Sequence, residues 1–198
     1  AGCTVVAKPS ESTPLSAYHM AVALEQAGLP PGVLNLLIGD AADIGQAMLD
    51  HPDCKKISFT GSTRVGKLLM DGASRTHTKL SLELGGNAPV LIFDDVDVIA
   101  VAKAAALARF RNNGQVCIAP QRFYVHHKIY HQFAEAVTAY VAAIKVGGGF
   151  EEGVQVGPLI TRKQRDSVLA LLEQTRAEQA EILTGGQVPA DRPTGYFI

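Results

Sequence analysis

An α/β fold built on a mostly parallel sheet is what this sequence predicts. Short apolar segments alternate with helical segments along the chain, and glycine or proline marks most of the junctions between them. The composition is that of a chain able to bury a core: 47% of residues are hydrophobic and 19% charged. In chain order, Cys3–Ala7 reads as a first strand that starts abruptly, as if inside a longer chain. Thr13 is placed to cap a helix with Pro14 at its first position, and Leu15, Tyr18 and Val22 form its apolar stripe up to Gly28. Pro30-Pro31 stops it. Val33–Ile38 is a second strand, Gly39-Asp40 a turn, and Ile44, Ala47 and Met48 mark a short helix ended by His51-Pro52. Lys56–Phe59 is a third strand. Gly61 turns the chain, Val65, Leu68 and Leu69 form the buried stripe of a helix, and Lys79–Leu84 alternates as a fourth strand.

Gly85-Gly86 breaks the pattern and places the boundary between two subdomains there. Pro89–Phe93 opens a new strand. Asp94, Asp95 and Asp97 stand at the start of a helix carrying Val98, Val101, Ala105 and Leu107, where the helix dipole favours negative charge. That helix ends near Asn112-Asn113-Gly114. Phe123–His126 reads as a strand, Lys128–Ile144 as a helix, Gly147-Gly148-Gly149 as a flexible turn, Thr161–Gln179 as a long amphipathic helix and Ile182–Thr184 as a last strand. The chain then stops on Phe197-Ile198 as though cut.

Charge and cysteine content narrow the function. With 18 Lys and Arg against 19 Asp and Glu, the net charge is −1, so there is no basic excess to gather nucleic acid. No apolar run approaches the roughly 18 residues that cross a bilayer, and no signal-peptide layout opens the chain. A soluble, cytoplasmic protein is expected, with neither nucleic-acid nor membrane partners. Three cysteines, Cys3, Cys54 and Cys117, without a CxxC, leave at least one thiol free and support neither a disulfide framework nor a zinc site.

Four places could carry chemistry. Phe59-Thr60-Gly61-Ser62-Thr63-Arg64-Val65-Gly66 joins a strand to a helix start, where N–H groups and the dipole suit a phosphate; the same Ser and Thr also suit an ordinary helix cap. Lys8-Pro9-Ser10-Glu11 follows the first strand, at the sheet edge where open α/β sheets bind ligands. Lys8 and Glu11 there could share a ribose diol, or form a solvated loop. Cys117, after Gly114-Gln115-Val116, lies among small and polar residues that leave a thiol accessible, whereas Cys3 is expected on an apolar face. A short helix beginning at Cys117 would favour its thiolate. Glu83, flanked by Leu82 and Leu84, could be a general base with a raised pKa or a structural carboxylate. His127 and His131 have i,i+4 spacing but no third ligand, so no metal is expected. Arg109 and Arg111 close a helix, where the dipole alone accounts for Arg109.

Taken in order and spacing, Lys8-Pro9-Ser10-Glu11, Phe59-Thr60-Gly61-Ser62-Thr63, Leu82-Glu83-Leu84-Gly85-Gly86-Asn87-Ala88-Pro89 and Gly114-Gln115-Val116-Cys117 resemble the aldehyde dehydrogenase superfamily. The resemblance runs from Ala1 to Ile198 and includes Gly157-Pro158-Leu159-Ile160 and Gly185-Gly186. It implies a Rossmann-like parallel sheet followed by part of an α/β catalytic domain: residues 1–84 a partial NAD(P)-binding domain, residues 85–198 a partial catalytic domain. It further implies Cys117 as nucleophile, Glu83 as base, and Lys8, Ser10, Glu11, Gly61, Ser62, Leu84 and Gly85 around the cofactor, NAD or NADP. Phe110-Arg111-Asn112-Asn113-Gly114-Gln115 and Asn87-Ala88-Pro89 resemble the succinate-semialdehyde dehydrogenase branch, in which an arginine at the place of Arg111 binds the distal carboxylate of the substrate. Ala119 stands where the redox-regulated members carry a second cysteine. The chain resembles the central portion of family chains, whose oxyanion-hole asparagine lies upstream and whose nicotinamide-ribose glutamate lies downstream. The full-length form is expected to be a homodimer or homotetramer. A catalytically incomplete nucleotide-binding piece is the competing expectation.

Overall fold

The computed structural model describes residues 2–198 and divides the chain into two compact units, Ala1–Gly85 and Gly86–Ile198. In the first, β1 (Val5–Ala7), α1 (Leu15–Gln26) and β2 (Leu34–Leu36) are followed by α2 (Ala41–Asp50), β3 (Lys56–Thr60), α3 (Thr63–Thr76) and β4 (Lys79–Glu83). Strands β1 and β2 pair in parallel with Val5 opposite Leu34, and β3 and β4 in parallel with Lys56 opposite Lys79. Parallel neighbours need a crossover, and α1 and α3 supply it.

The register of β3 and β4 shows how this unit closes. Ile57 stands opposite Leu80 and Phe59 opposite Leu82, and with a period of two these four share one face. That face meets Leu49 of α2 and Val65, Leu69 and Ala73 of α3, three positions spaced by four on one side of the helix. The end of each later helix start is satisfied by its own sequence: Asp40 accepts from the N–H groups of Ala42 and Asp43, and Ser62 from that of Val65. Pro14 has helical dihedrals, but no side chain caps α1, so Thr13 does not perform the expected role. It donates its own N–H to the Ser10 carbonyl instead.

In the second unit, β5 (Ala88–Ile92), α4 (Val98–Phe110) and β6 (Pro120–Val125) form a further parallel βαβ unit, followed by α5 (Tyr130–Ala142) and α6 (Arg162–Ala177). A bulge falls between Ala88 and Pro89, where proline brings no N–H to the ladder. Asp97 caps α4 by accepting from Ile99 and Ala100. The core joins Ile92, Val98, Ala102, Ala105 and Phe133, with Val90, Phe123 and Val125 packed against it, and Ala102 is 0% exposed. Alternation of strand and helix thus gives the expected α/β class, with hydrogen bonding among the described residues arranged as three parallel two-stranded pairs.

Several expectations are corrected. Ile182–Thr184 is not a strand: it joins no ladder among the described residues, and Gly185 and Gly186, at φ 68° and 73°, turn the chain at once. Leu15 and Tyr18 of α1 are exposed, and so are Leu68 of α3 and Leu107 of α4. In α4 the expected Val98 and Ala105 do face inward, joined by Ala102 and Ala106 in place of Leu107, and the small alanine side chains bring the helix close to its strands. His127 precedes α5 in a turn closed by the Ile129 N–H on the His126 carbonyl, so His127 and His131 do not share a helix face. The glycine run 147–149 is hydrogen-bonded, with the Gly147 N–H on the Val156 carbonyl at 3.0 Å and that of Gly148 on Glu151 at 2.8 Å. Cys3 is exposed, because β1 begins only at Val5 and Cys3 lies before it, outside any strand. No helix among the described residues is long and apolar enough to cross a membrane.

Phe133 is 5% exposed and bridges α4 and the β5–β6 pair. Phe133→Ala should cost the second unit about 3–4 kcal/mol in urea unfolding. A loss below about 1 kcal/mol would mean that this cluster is not the core of the unit.

Candidate active site

The first unit ends its strands in polar loops. After β1, the ammonium of Lys8 donates to Glu11 Oε2 at 2.7 Å. The Lys8 side chain is 16% exposed and that of Glu11 58% exposed, so the pair points its carboxylate outward. The Lys8 hydrogen bond holds the Glu11 carboxyl below the usual carboxylate range. Ser10 shapes the turn, its hydroxyl accepting from the Ser12 N–H at 3.3 Å. After β3, the Gly61 N–H donates to the Glu83 carbonyl at 3.0 Å, which carries the β3–β4 ladder one residue further. Ser62 then caps α3. Its hydroxyl is occupied by Val65, while the N–H groups of Thr63 and Arg64 have no acceptor among the described residues. Leu84 is half-buried against Gly66 of α3, and Gly85 is exposed with open space where a side chain would stand.

These donors and acceptors fit a dinucleotide. A carboxylate and an ammonium suit a ribose diol, and free N–H groups at a helix start suit a phosphate. Glu83, opposite Thr60 in the register, stands at the same end of the β3–β4 pair as the Gly61-Ser62 turn. The apolar enclosure expected for its carboxylate is absent, because strand alternation turns Leu82 to the core and Glu83 away from it, and Glu83 is exposed.

The second unit holds Cys117 at the end of an unusual loop. Past α4, Asn112, Asn113 and Gly114 all have left-handed backbones, at φ 50°, 56° and 71°. Such a conformation costs on the order of 1–2 kcal/mol for a non-glycine residue, with asparagine among the most tolerant. Hydrogen bonds hold the run: Arg109 Nη1 donates to the Gly114 carbonyl at 3.0 Å, and the Gln115 N–H to the Asn112 carbonyl at 3.0 Å. At Gly114 an added Cβ would stand 2.9 Å from the Arg109 carbonyl, so only glycine fits. Arg109 therefore does more than close a helix.

Cys117 and Ile118 form a turn closed by the Ala119 N–H on the Val116 carbonyl at 2.9 Å, and the thiol is exposed. No helix begins at Cys117, so the expected helix dipole has no source there. Gly86 passes alongside: a Cβ on it would lie 3.1 Å from the Cys117 carbonyl. Arg111 is exposed; its N–H donates to the Leu107 carbonyl, its guanidinium makes no hydrogen bond or ion pair among the described residues, and it lines a cleft of about 320 Å³ with Lys103, Phe110, Tyr140 and Ile144. The structure thus joins Lys8 with Glu11, Gly61 with Glu83, and Leu84 with α3 in the first unit, and places Cys117 and Arg111 in the second. Sequence reasoning missed Asn113 and Gly157, whose hydrogen bonds to each other span 44 positions. Only the Asn-Gly and Gly-Pro dipeptides hinted at turns there. Among the described residues, no group of three or more His, Cys, Asp or Glu is placed to hold a metal ion.

The model of the aldehyde dehydrogenase family matches residues 1–198. Mitochondrial succinate-semialdehyde dehydrogenase of Arabidopsis thaliana is 47% identical over 94% of this chain and 35% of its own length. Among solved structures, succinate-semialdehyde dehydrogenase from Burkholderia pseudomallei superposes with a TM-score of 0.94 at 46% identity, over 100% of this chain and 41% of that one. A Pseudomonas syringae aldehyde dehydrogenase mutant solved with NAD+ and octanal gives a TM-score of 0.95 at 36% identity, over 100% of this chain and 41% of that one. The chain therefore spans well under half the length of these relatives. A family model that matches all of its residues, joined to a fold shared over its whole extent, makes this chain a member of the aldehyde dehydrogenase family.

Proposed function

We propose that this chain carries the nucleophile and part of the dinucleotide site of an enzyme that oxidises an aldehyde to a carboxylic acid with NAD(P)+. One observation carries the reading: an exposed thiol at Cys117 follows three consecutive left-handed residues that hydrogen bonds hold in place. A backbone kept in so costly a conformation is the kind found where a side chain must be presented to a ligand. The family membership fits this assignment.

In this reading the Cys117 thiolate attacks the aldehyde carbon to give a thiohemiacetal, and the Cys117 N–H donates to the developing oxyanion. When bound, NAD(P)+ supplies the acceptor for the hydride that leaves the thiohemiacetal carbon. The resulting thioester on Cys117 is hydrolysed by a water whose proton Glu83 accepts. Lys8 and Glu11 would hold the adenosine ribose, the turn at Gly61 and Ser62 the pyrophosphate, and Ser10, Leu84 and Gly85 would complete the contacts to the cofactor. Arg111, with an unengaged guanidinium, would receive a distal carboxylate, so a short semialdehyde such as succinate semialdehyde is the substrate class. The same proposal places the full-length protein in the cytoplasm as a homodimer or homotetramer. A second reading, a piece that binds nucleotide without completing catalysis, draws on the 35% of the Arabidopsis relative that the chain spans.

Aldehyde-dependent reduction of the cofactor by the native protein decides between them, and Cys117→Ala then tests the nucleophile. The variant should lose aldehyde-dependent reduction of the cofactor while binding dinucleotide as the native chain does, and undiminished turnover would remove the assignment. Glu83→Gln separates the two chemical steps: a burst of reduced cofactor should persist while steady turnover collapses. Loss of the burst as well would place Glu83 in the activation of Cys117.

Cofactor choice rests on Glu11. Its carboxyl is held below the usual range, so it stays charged from neutral pH down into acid and is lost only as pH falls through that lowered value. A preference for NAD over NADP should accordingly be flat across neutral pH and fade only in acid. Glu11→Gln should shift the ratio of kcat/KM for the two cofactors towards NADP by about tenfold or more. An unchanged ratio would show that Glu11 does not reach the ribose.

A further inference from the structure

The loop before Cys117 has one fastening that is not local. Between residues 111 and 118, the hydrogen bonds from Arg109 to Gly114 and from Gln115 and Asn112 to each other lie within five positions in sequence. Asn113 alone reaches a distant segment. Its Oδ1 accepts from the Gly157 N–H at 3.0 Å, and its Nδ2 donates to the Gly157 carbonyl at 3.2 Å and to the Pro158 carbonyl at 3.5 Å. The carboxamide therefore pairs with Gly157 in both directions, as a neighbouring peptide group does in a ladder.

The segment that receives it is itself fixed. Val146 bridges Val156 in parallel, and the Gly147 N–H reaches the Val156 carbonyl at 3.0 Å. The Leu159 N–H donates to the Tyr196 carbonyl at 3.0 Å, and Arg192 grips both oxygens of Glu151 at 2.7 and 2.8 Å. A tie to such a segment is a tie to the body of the unit.

We infer that Asn113 is a positioning residue for Cys117: its two-way pairing with Gly157 locks the left-handed run that presents the thiol. Asparagine suits both demands of this place. It tolerates the left-handed backbone and offers a donor and an acceptor on one rigid group. Glycine meets only the first demand. Ionised aspartate keeps the acceptor and sets its second oxygen against the carbonyls of Gly157 and Pro158. The inference rests on the proposed function only in naming Cys117 as the nucleophile, because the effect is read on the thiol and on backbone amides.

The test compares native chain, Asn113→Gly, Asn113→Asp and Gly157→Ala by hydrogen exchange at the Gln115 and Ala119 amides and by site-mapped alkylation of Cys117, each normalised to an unstructured peptide at the same pH. Cys3, in the first unit, is the internal reference. In Asn113→Gly, exchange at both amides should rise about tenfold or more, and Cys117 alkylation should move to the peptide rate while Cys3 stays unchanged. Asn113→Asp should behave likewise at neutral pH and recover towards native values as pH falls, because the protonated carboxyl donates to the Gly157 carbonyl while its other oxygen accepts from the N–H. Gly157→Ala should match the native chain, since its Cβ would meet only Asn113 Nδ2 at 3.7 Å and the Gly147 carbonyl at 4.0 Å. Native exchange and alkylation in Asn113→Gly would overturn the inference, and so would an Asn113→Asp defect that no fall in pH relieves. Aldehyde turnover surviving in Cys117→Ala would remove the catalytic reading and leave the positioning of the thiol to stand on these measurements.

Discussion

The left-handed run Asn112-Asn113-Gly114 is the constraint on which the candidate site depends. It reverses the chain between the end of α4 and the start of β6, so the four residues from Gln115 to Ile118 are projected as a short turn rather than absorbed into either element. A backbone of this kind persists only where its surroundings over-determine it. Here the Arg109 guanidinium holds Gly114 from the helix side and the Asn113 carboxamide holds it from the 157–158 segment. Gly86 completes the fit, its lack of a side chain allowing the approach to β5 to pass the Cys117 carbonyl.

The first unit solves a different problem with simpler means. Its loops follow parallel strands, and each cofactor candidate sits one to four residues past a strand end, Lys8 to Glu11 after β1, Gly61 and Ser62 after β3, Leu84 and Gly85 after β4, while Glu83 is the last residue of β4 itself. Parallel pairing sends these ends the same way within each pair, which is why Gly61 and Glu83 meet through a backbone hydrogen bond. The Lys8–Glu11 pair keeps a carboxylate ionised in a solvated place, so the loop presents fixed charge without burying it.

How much of this was legible in the sequence follows from the range of each interaction. Local rules were enough for the βαβ alternation, for the Ser62 cap and for Cys117 as an accessible thiol, because spacing and turn chemistry act over a few residues. Rules of equal range failed at Glu83 and Ile182. Flanking leucines suggested enclosure for Glu83, but alternation along β4 sends them to the opposite face. Ile182–Thr184 has the composition of a strand, but a strand exists only where another lies beside it. The Asn113–Gly157 pairing could not be read at all, since nothing in either dipeptide names a partner 44 positions away. In the inward stripes of α3 and α4, Val65, Leu69, Val98, Val101 and Ala105 were read correctly, and Leu68 and Leu107 were misplaced for a related reason. Small residues such as Ala102 and Ala106 decide which side of a helix can approach a sheet, and hydropathy alone favours the larger Leu68 and Leu107.

The account stands or falls on the backbone of Asn112 and Asn113, and nuclear magnetic resonance measures it directly. Positive φ brings each residue's own amide and α protons close. Strong intraresidue HN–Hα Overhauser effects at both asparagines, matching couplings of the left-handed region and slow exchange of the Gly157 amide, are the predicted result. Weak intraresidue effects with right-handed couplings at Asn112 and Asn113 would contradict it, because Cys117 would then follow an ordinary helix end with nothing to hold its thiol in place.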